Sequence, residues 1–112
     1  MILGVIGSKD FNDFSLLADI LDSRNDISMI ISGAAAGTDT LVRNYARSLN
    51  IKFEEFPPDY NNFSEQAKHV RDQMIVQSCD QLIAFRDGIC EGTEYTVKYA
   101  EKLGKPVVSI AI

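Results

Sequence analysis

The 112-residue chain is short of several things, and each shortage narrows what it does. Its two cysteines, Cys79 and Cys90, form no CxxC pair and stand beside no His/Cys cluster. That gives no basis for a disulfide framework or a zinc site and reads as free thiols in a reducing compartment. It has one histidine, His69, with no partner visible in the sequence. No Ser–His–Asp arrangement and no metal-ligand spacing follows from it, and His69 reads as a surface residue. No stretch approaches the ~20 apolar residues of a membrane span, so no membrane partner is expected. Met1–Gly7 is apolar but short, with no basic leader or cleavage site, and does not read as a signal peptide. Cytoplasm, or the host cytoplasm if the gene is viral, is the expected location. An excess of basic charge is missing too: the formal charge is −5. A general nucleic-acid binder usually presents a basic face, so nucleic acid is not the expected partner.

What is present is an ordinary globular composition, 46% apolar and 24% charged. The length suits one domain, residues 1–112, with one core of its own. Five short apolar runs stand out: Ile2–Ile6, Ser28–Ser32, Ile51–Phe56, Gln81–Phe85 and Val107–Ile112. Four are nearly continuous rather than alternating, as in strands of a parallel sheet buried on both faces. The third carries Lys52, Glu54 and Glu55 and exits into Pro57-Pro58, which marks an edge strand. Between the strands run four helical stripes. Leu16, Leu17, Ile20 and Leu21 follow the candidate caps Asn12 and Asp13; Leu41, Val42, Tyr45, Ala46 and Leu49 come next. Ala67, Val70 and Met74 follow, with Ser64 as cap, and then Thr96, Tyr99, Ala100 and Leu103, ending at Gly104. The segment Pro57–Phe63 reads as an irregular surface loop. The alternation predicts an α/β, Rossmann-like three-layer α/β/α fold with a five-stranded parallel sheet in the order 3-2-1-4-5.

In such a sheet ligands bind beyond the carboxyl ends of the strands, at the switch point between the first and fourth. Three loops converge there. Gly7-Ser8-Lys9-Asp10 offers close backbone approach, a hydroxyl and a cation. Ser32-Gly33-Ala34-Ala35-Ala36-Gly37-Thr38-Asp39 has almost no side chain between a strand and a helix, which lets backbone N–H groups face an anion. It is neither a Walker A loop nor a GxGxxG fingerprint, and Asp39 is placed either to accept hydrogen bonds from a ribose or to hold the loop. The third loop runs from Arg86 through Asp87 and Gly88 to Gly92, Thr93 and Glu94 and opens the last helix. Arg71, on the third helical stripe, offers a bidentate fork for phosphate if it faces the crevice. No motif calls for a cofactor or a metal.

Taken in order, Gly7-Ser8-Lys9, Ser32 to Leu41, Arg71-Asp72-Gln73-Met74, Ala84 to Gly88 and Gly92-Thr93 resemble the SLOG superfamily. That group joins the Smf/DprA DNA-processing proteins with the LOG cytokinin-activating enzymes. The resemblance is nearest to the small stand-alone YspA/YpsA-related proteins of bacteria and phages. It implies a Rossmann-like domain that binds a nucleotide, nucleotide-sugar or nucleotide second messenger, and association as a homodimer or higher homo-oligomer. Tyr45, Tyr95 and Tyr99 are the exposed candidates for a contact surface. LOG enzymes carry phosphoribohydrolase chemistry on an arginine in an Arg-Lys-x-x-Met stretch and a glutamate in Pro-Gly-Gly-x-Gly-Thr-x-x-Glu. Arg71 and Met74 resemble the first stretch. The second departs from it: Asp87-Gly88 replaces Pro-Gly-Gly, and Thr96 stands in place of the glutamate, with Glu94 on another side of the helix. Ala36 and Lys9 stand where relatives often have arginine.

The favoured reading is a ligand-binding module using Gly7, Ser8, Lys9, Ser32, Gly33, Ala34, Gly37, Thr38, Asp39, Arg71, Asp87, Gly88, Gly92 and Thr93. The alternative is a nucleotide hydrolase of the phosphoribohydrolase type, with Arg71, Asp87 and Glu94 as candidate catalytic groups. A DNA-associated role like that of the DNA-processing relatives comes last.

Overall fold

The computed structural model describes all residues, 1–112. Five strands, β1 (Ile2–Gly7), β2 (Met29–Gly33), β3 (Lys52–Phe56), β4 (Gln81–Arg86) and β5 (Val107–Ala111), form one sheet in the order β3-β2-β1-β4-β5. Every neighbouring pair is parallel, as the alternating pattern requires. Helices α1 (Phe14–Asp22) and α2 (Thr38–Ser48) connect the first three strands. The short α3 (Tyr60–Phe63) and the long α4 (Ala67–Ser78) carry the chain from the β3 edge back across the sheet to β4, and α5 (Glu91–Lys102) leads to β5.

Alternate side chains of the central strands go to opposite faces. Leu3, Val5, Ile30, Ile83 and Phe85 pack with α1 and α2 through Leu17, Leu21, Val42 and Tyr45. Ile6, Ile31, Leu82 and Ala84 pack with α4 and α5 through Ile75, Val76, Val97 and Ala100. Each fully buried Leu, Ile or Phe contributes about 1.5–3 kcal/mol, so the nearly continuous apolar runs are what force these strands into the middle layer. β3 is half-exposed, as its charges require; β5 is the opposite edge and is also half-exposed, because no strand lies beyond it.

Some local expectations are corrected. Pro57–Phe63 is not wholly irregular: Asp59 caps α3, its Oδ1 accepting from the Asn62 N–H at 3.2 Å. Ser64 does not cap α4; it sits at φ 49° and opens a 3-10 turn, Ser64–Gln66, that feeds the helix. The buried face of α4 is Ala67, Asp72, Ile75 and Val76, while Met74 is 47% exposed. Leu103 is also exposed, and Val97 takes its place in the core beside Thr96 and Ala100. Tyr45 is buried rather than exposed, and its hydroxyl donates to Asp22 Oδ1 at 2.6 Å. Burial and that carboxylate push the Tyr45 phenol up to about 12. Asp13 caps the start of α1, its Oδ1 accepting from the Leu16 N–H, and Gly104 turns the chain after α5 at φ 71°.

Candidate functional site

The chain order moves outward from β1 to β3, then returns past β1 to β4. The loops after β1 and β4 therefore part in opposite directions and leave a crevice at the carboxyl edge of the sheet. Its cavity volume is about 700 Å³. The loops after β1, β2 and β4 line it, together with one face of α4.

The first two loops are clamped to each other. The Ser8 carbonyl accepts from the Thr38 N–H at 3.2 Å, from the Thr38 hydroxyl at 2.9 Å and from the Phe11 N–H at 3.3 Å. Gly37 lies against this clamp, which explains its small size. Gly7 is small for the same reason: a Cβ there would meet the Thr38 hydroxyl and the Phe85 backbone.

At the bottom of the crevice lies a buried charge cluster. Arg71 Nε donates to Asp72 Oδ1 at 2.6 Å, and its guanidinium lies over Gly33, where a Cβ would sit 2.5 Å from Nη1. Asp39 closes the other side; its Oδ1 accepts from the Ser32 hydroxyl at 2.6 Å and its Oδ2 from the Ala35 N–H at 3.1 Å. Burial pushes Asp39 up to about 6 against the pull of Ser32, Ala35 and Arg71, and raises Asp72 as well, opposed mainly by Arg71.

These two groups give the stability a pH dependence of definite sign. Between an unfolded value of 3.8 and a folded value of about 6, the native state keeps a proton on Asp39 that the unfolded chain has lost. Stability is therefore greatest at the acid end of that window and falls as pH rises through it, by about 1–3 kcal/mol. Asp72 acts in the same direction. Asp59, Asp87 and Glu94, all held below their ordinary values, act in the opposite sense at the acid end of the window and below it. Urea unfolding at pH 4.5 and pH 7 is expected to show the higher midpoint at pH 4.5, with the difference reduced in Asp39→Asn. A midpoint that rises with pH would refute it.

The helix starts are of two kinds, and α4 is uncapped by any side chain. α1 and α3 carry aspartate caps, whereas α2 and α5 have no side-chain cap. The N–H groups of Asp39 and Thr40 in α2, and of Glu91, Gly92 and Thr93 in α5, find no acceptor within the chain. Such orphan donors carry the positive end of the helix dipole and suit an anion. Gly92 has nothing within 4 Å of where its Cβ would stand, so packing does not require a glycine there.

Of the residues singled out in the sequence, Gly7, Ser8, Lys9, Gly33, Asp39, Arg71, Asp87, Gly92 and Thr93 line the crevice. Ser32, Ala34, Gly37, Thr38, Gly88 and Glu94 do not. Ser32 is buried beneath Asp39, and Glu94 turns away to pair with Arg86, whose Nη1 also donates to Ser109 at 3.1 Å. Asp87 staples its own loop, its Oδ1 accepting from the Ile89 N–H at 2.9 Å and the Cys90 N–H at 3.0 Å. The Ser8 hydroxyl beside it and these two N–H groups hold its carboxyl below the usual carboxylate range; the Arg86 guanidinium does the same for Glu94. Met74, at three residues from Arg71, is one short of the interval in the Arg-Lys-x-x-Met stretch and lies outside the crevice. Thr96 does line it, so the α5 position that faces the crevice holds a hydroxyl, donated to the Gly92 carbonyl at 2.7 Å.

Several lining residues were missed. Lys68, Asp72 and Ile75 share the crevice face of α4 with Arg71. Their i, i+3, i+4, i+7 spacing was readable once Arg71 was placed. His69 also lines the crevice and is not without a partner: its ring stacks on Tyr95 with centroids 4.0 Å apart. No cluster of three or more His, Cys, Asp or Glu side chains is arranged to hold a metal ion. No helix is long and apolar enough to cross a membrane.

The family described as YAcAr, the YspA, cpYpsA-related SLOG family, matches residues 1–63, more than half of the chain. The chain belongs to this SLOG family. The match takes in β1 to α3 and with them the two clamped loops, Gly7–Asp10 and Ser32–Asp39. Arg71 and the Asp87–Thr93 loop lie beyond the matched residues, so the SLOG half and the remaining half each supply one wall of the crevice. No curated protein and no solved structure matches the chain.

Proposed function

We propose that this SLOG chain binds a nucleotide or nucleotide-derived ligand in the crevice, with its phosphate held between the uncapped starts of α2 and α5. The observation that carries the reading is the set of unpartnered N–H groups on two helices that open onto one cavity, next to Lys9 and Arg71. A volume of about 700 Å³ lies within the usual ~300–1,000 Å³ range of small-molecule pockets. The family membership supports the same class of ligand. Binding is favoured over hydrolysis because Asp87 and Glu94 are both held below the usual range, the reverse of what a general acid at neutral pH needs. Thr96 offers no carboxylate at the crevice-facing position of α5.

Gly92 separates binding from folding. Its Cβ position is open, so Gly92→Val leaves the melting temperature within a few degrees while its side chain occupies the space above the α5 donors. Calorimetric titration with nucleoside monophosphates and nucleotide-sugars is expected to give binding heat with the natural chain and at least tenfold weaker binding in Gly92→Val. Equal affinity in the two proteins, or no heat with any compound of the panel, would remove the proposal.

A further inference from the structure

Along the outer side of α4 and α5 runs a ladder of stacked rings. Tyr99 and Tyr95 lie 6.5 Å apart and 12° from parallel, and His69 stacks on Tyr95 at 4.0 Å and 11°. Each tyrosine is fixed by an amide: Gln73 donates to the Tyr95 hydroxyl and Gln77 to the Tyr99 hydroxyl, both at 2.8 Å. The last ring, His69, is exposed and lines the crevice. Tyr95 covers one of its faces, and the residue as a whole remains exposed. It stands on the same helix as Arg71 and next in the chain to Lys68, both of which line the same cavity. Ile6, Ile75 and Ile89 also line the cavity, but it holds no other aromatic ring.

We propose that His69 is the base-recognition platform of this site: the planar base of the bound nucleotide stacks on the face away from Tyr95 and continues the ladder. This inference rests on the nucleotide reading above and names the residue that distinguishes a nucleotide from a bare sugar phosphate. An exposed imidazole is ordinarily free to turn about its two side-chain torsions. Here the stack on a hydrogen-bonded tyrosine holds it flat in advance, so little ordering is left to be done when a ring lands on it. Stacking tolerates any base, because every base has a π-face, so the platform selects for a base without selecting which one.

The test uses the fact that His69 is the one histidine in the chain, which gives its ring protons isolated NMR signals. The probes are AMP, GMP, CMP, UMP and ribose 5-phosphate. At least one nucleotide is expected to bind about tenfold tighter than ribose 5-phosphate, in keeping with base–aromatic stacking, and to move the His69 ring protons upfield. His69→Ala is expected to bring that nucleotide down to the affinity of the sugar phosphate, and His69→Phe to restore the preference. A nucleotide preference that survives His69→Ala would overturn the inference. So would ribose 5-phosphate binding as tightly as every nucleotide, with the phosphate reading left standing. Failure of all five probes with the natural, folded chain would overturn the phosphate reading and this inference together.

Discussion

Arg71→Met is expected to destabilise the protein by about 3–5 kcal/mol at neutral pH and to abolish binding of phosphate-bearing ligands. The arginine and Asp72 side chains are 12% and 9% exposed, so the ion pair is screened little by water. Methionine fills much of the same space above Gly33 but leaves Asp39 and Asp72 buried with no countercharge. Both already lean toward their protonated forms, and Arg71 is among the forces opposing that. The loss is therefore expected to shrink at pH 5, below the raised value of Asp39. In the double variant Arg71→Met/Asp72→Asn much of the stability is expected to return, because one of the stranded charges is gone, while ligand binding stays absent. Urea midpoints at pH 5 and pH 7 for the three proteins check this. A loss that is the same at both pH values would mean that charge burial is not its cause.

Gly37→Ala is the second large effect. Gly37 stands at φ 69° and ψ −118°, where side chains are rarely tolerated. An added Cβ would lie 2.2 Å from the Lys9 carbonyl oxygen and 2.7 Å from that of Ser8. Both contacts are to backbone that Thr38 holds through the Ser8 carbonyl, so the methyl group is accommodated only by opening the clamp between the first two loops. Strain and clash together are expected to remove about 3 kcal/mol, a fall in melting temperature of roughly 10 °C for a domain of this size. Gly88→Ala is the matched control. Gly88 sits at φ 85° with nothing near its Cβ position, so strain acts alone and the loss is about 1 kcal/mol. Equal losses at the two glycines would show that the clamp contributes nothing.

These two residues also mark what could and could not be read from the sequence. Strand runs and helix spacing were enough for the sheet order, because a buried parallel strand needs an unbroken apolar run and α5 ends on a glycine in the left-handed region. They placed the crevice too, since the order 3-2-1-4-5 allows one switch point. The role of each glycine was not legible. Gly7, Gly33 and Gly37 are small because another part of the chain presses on them, and Gly92 is small with nothing against it; composition cannot tell these apart. Nor is the Arg71–Asp72–Asp39 cluster visible in the sequence, because adjacent opposite charges on a helix usually face water and the apolar spacing points to Met74 instead. Burial by α4 crossing the sheet is a tertiary fact. The stack of His69 on Tyr95 was hidden for the same reason: the two residues lie on different helices and meet only when α4 and α5 pack together.

The proposed anion lies between the starts of α2 and α5. Backbone amide NMR during titration with a nucleoside monophosphate tests it most directly. The largest shift changes are expected at Asp39 and Thr40 on one wall and at Gly92 and Thr93 on the other, with Lys9 between them and little change along β3 or β5. Saturating ligand that leaves these amides unmoved, or that moves a cluster elsewhere on the surface, would contradict it.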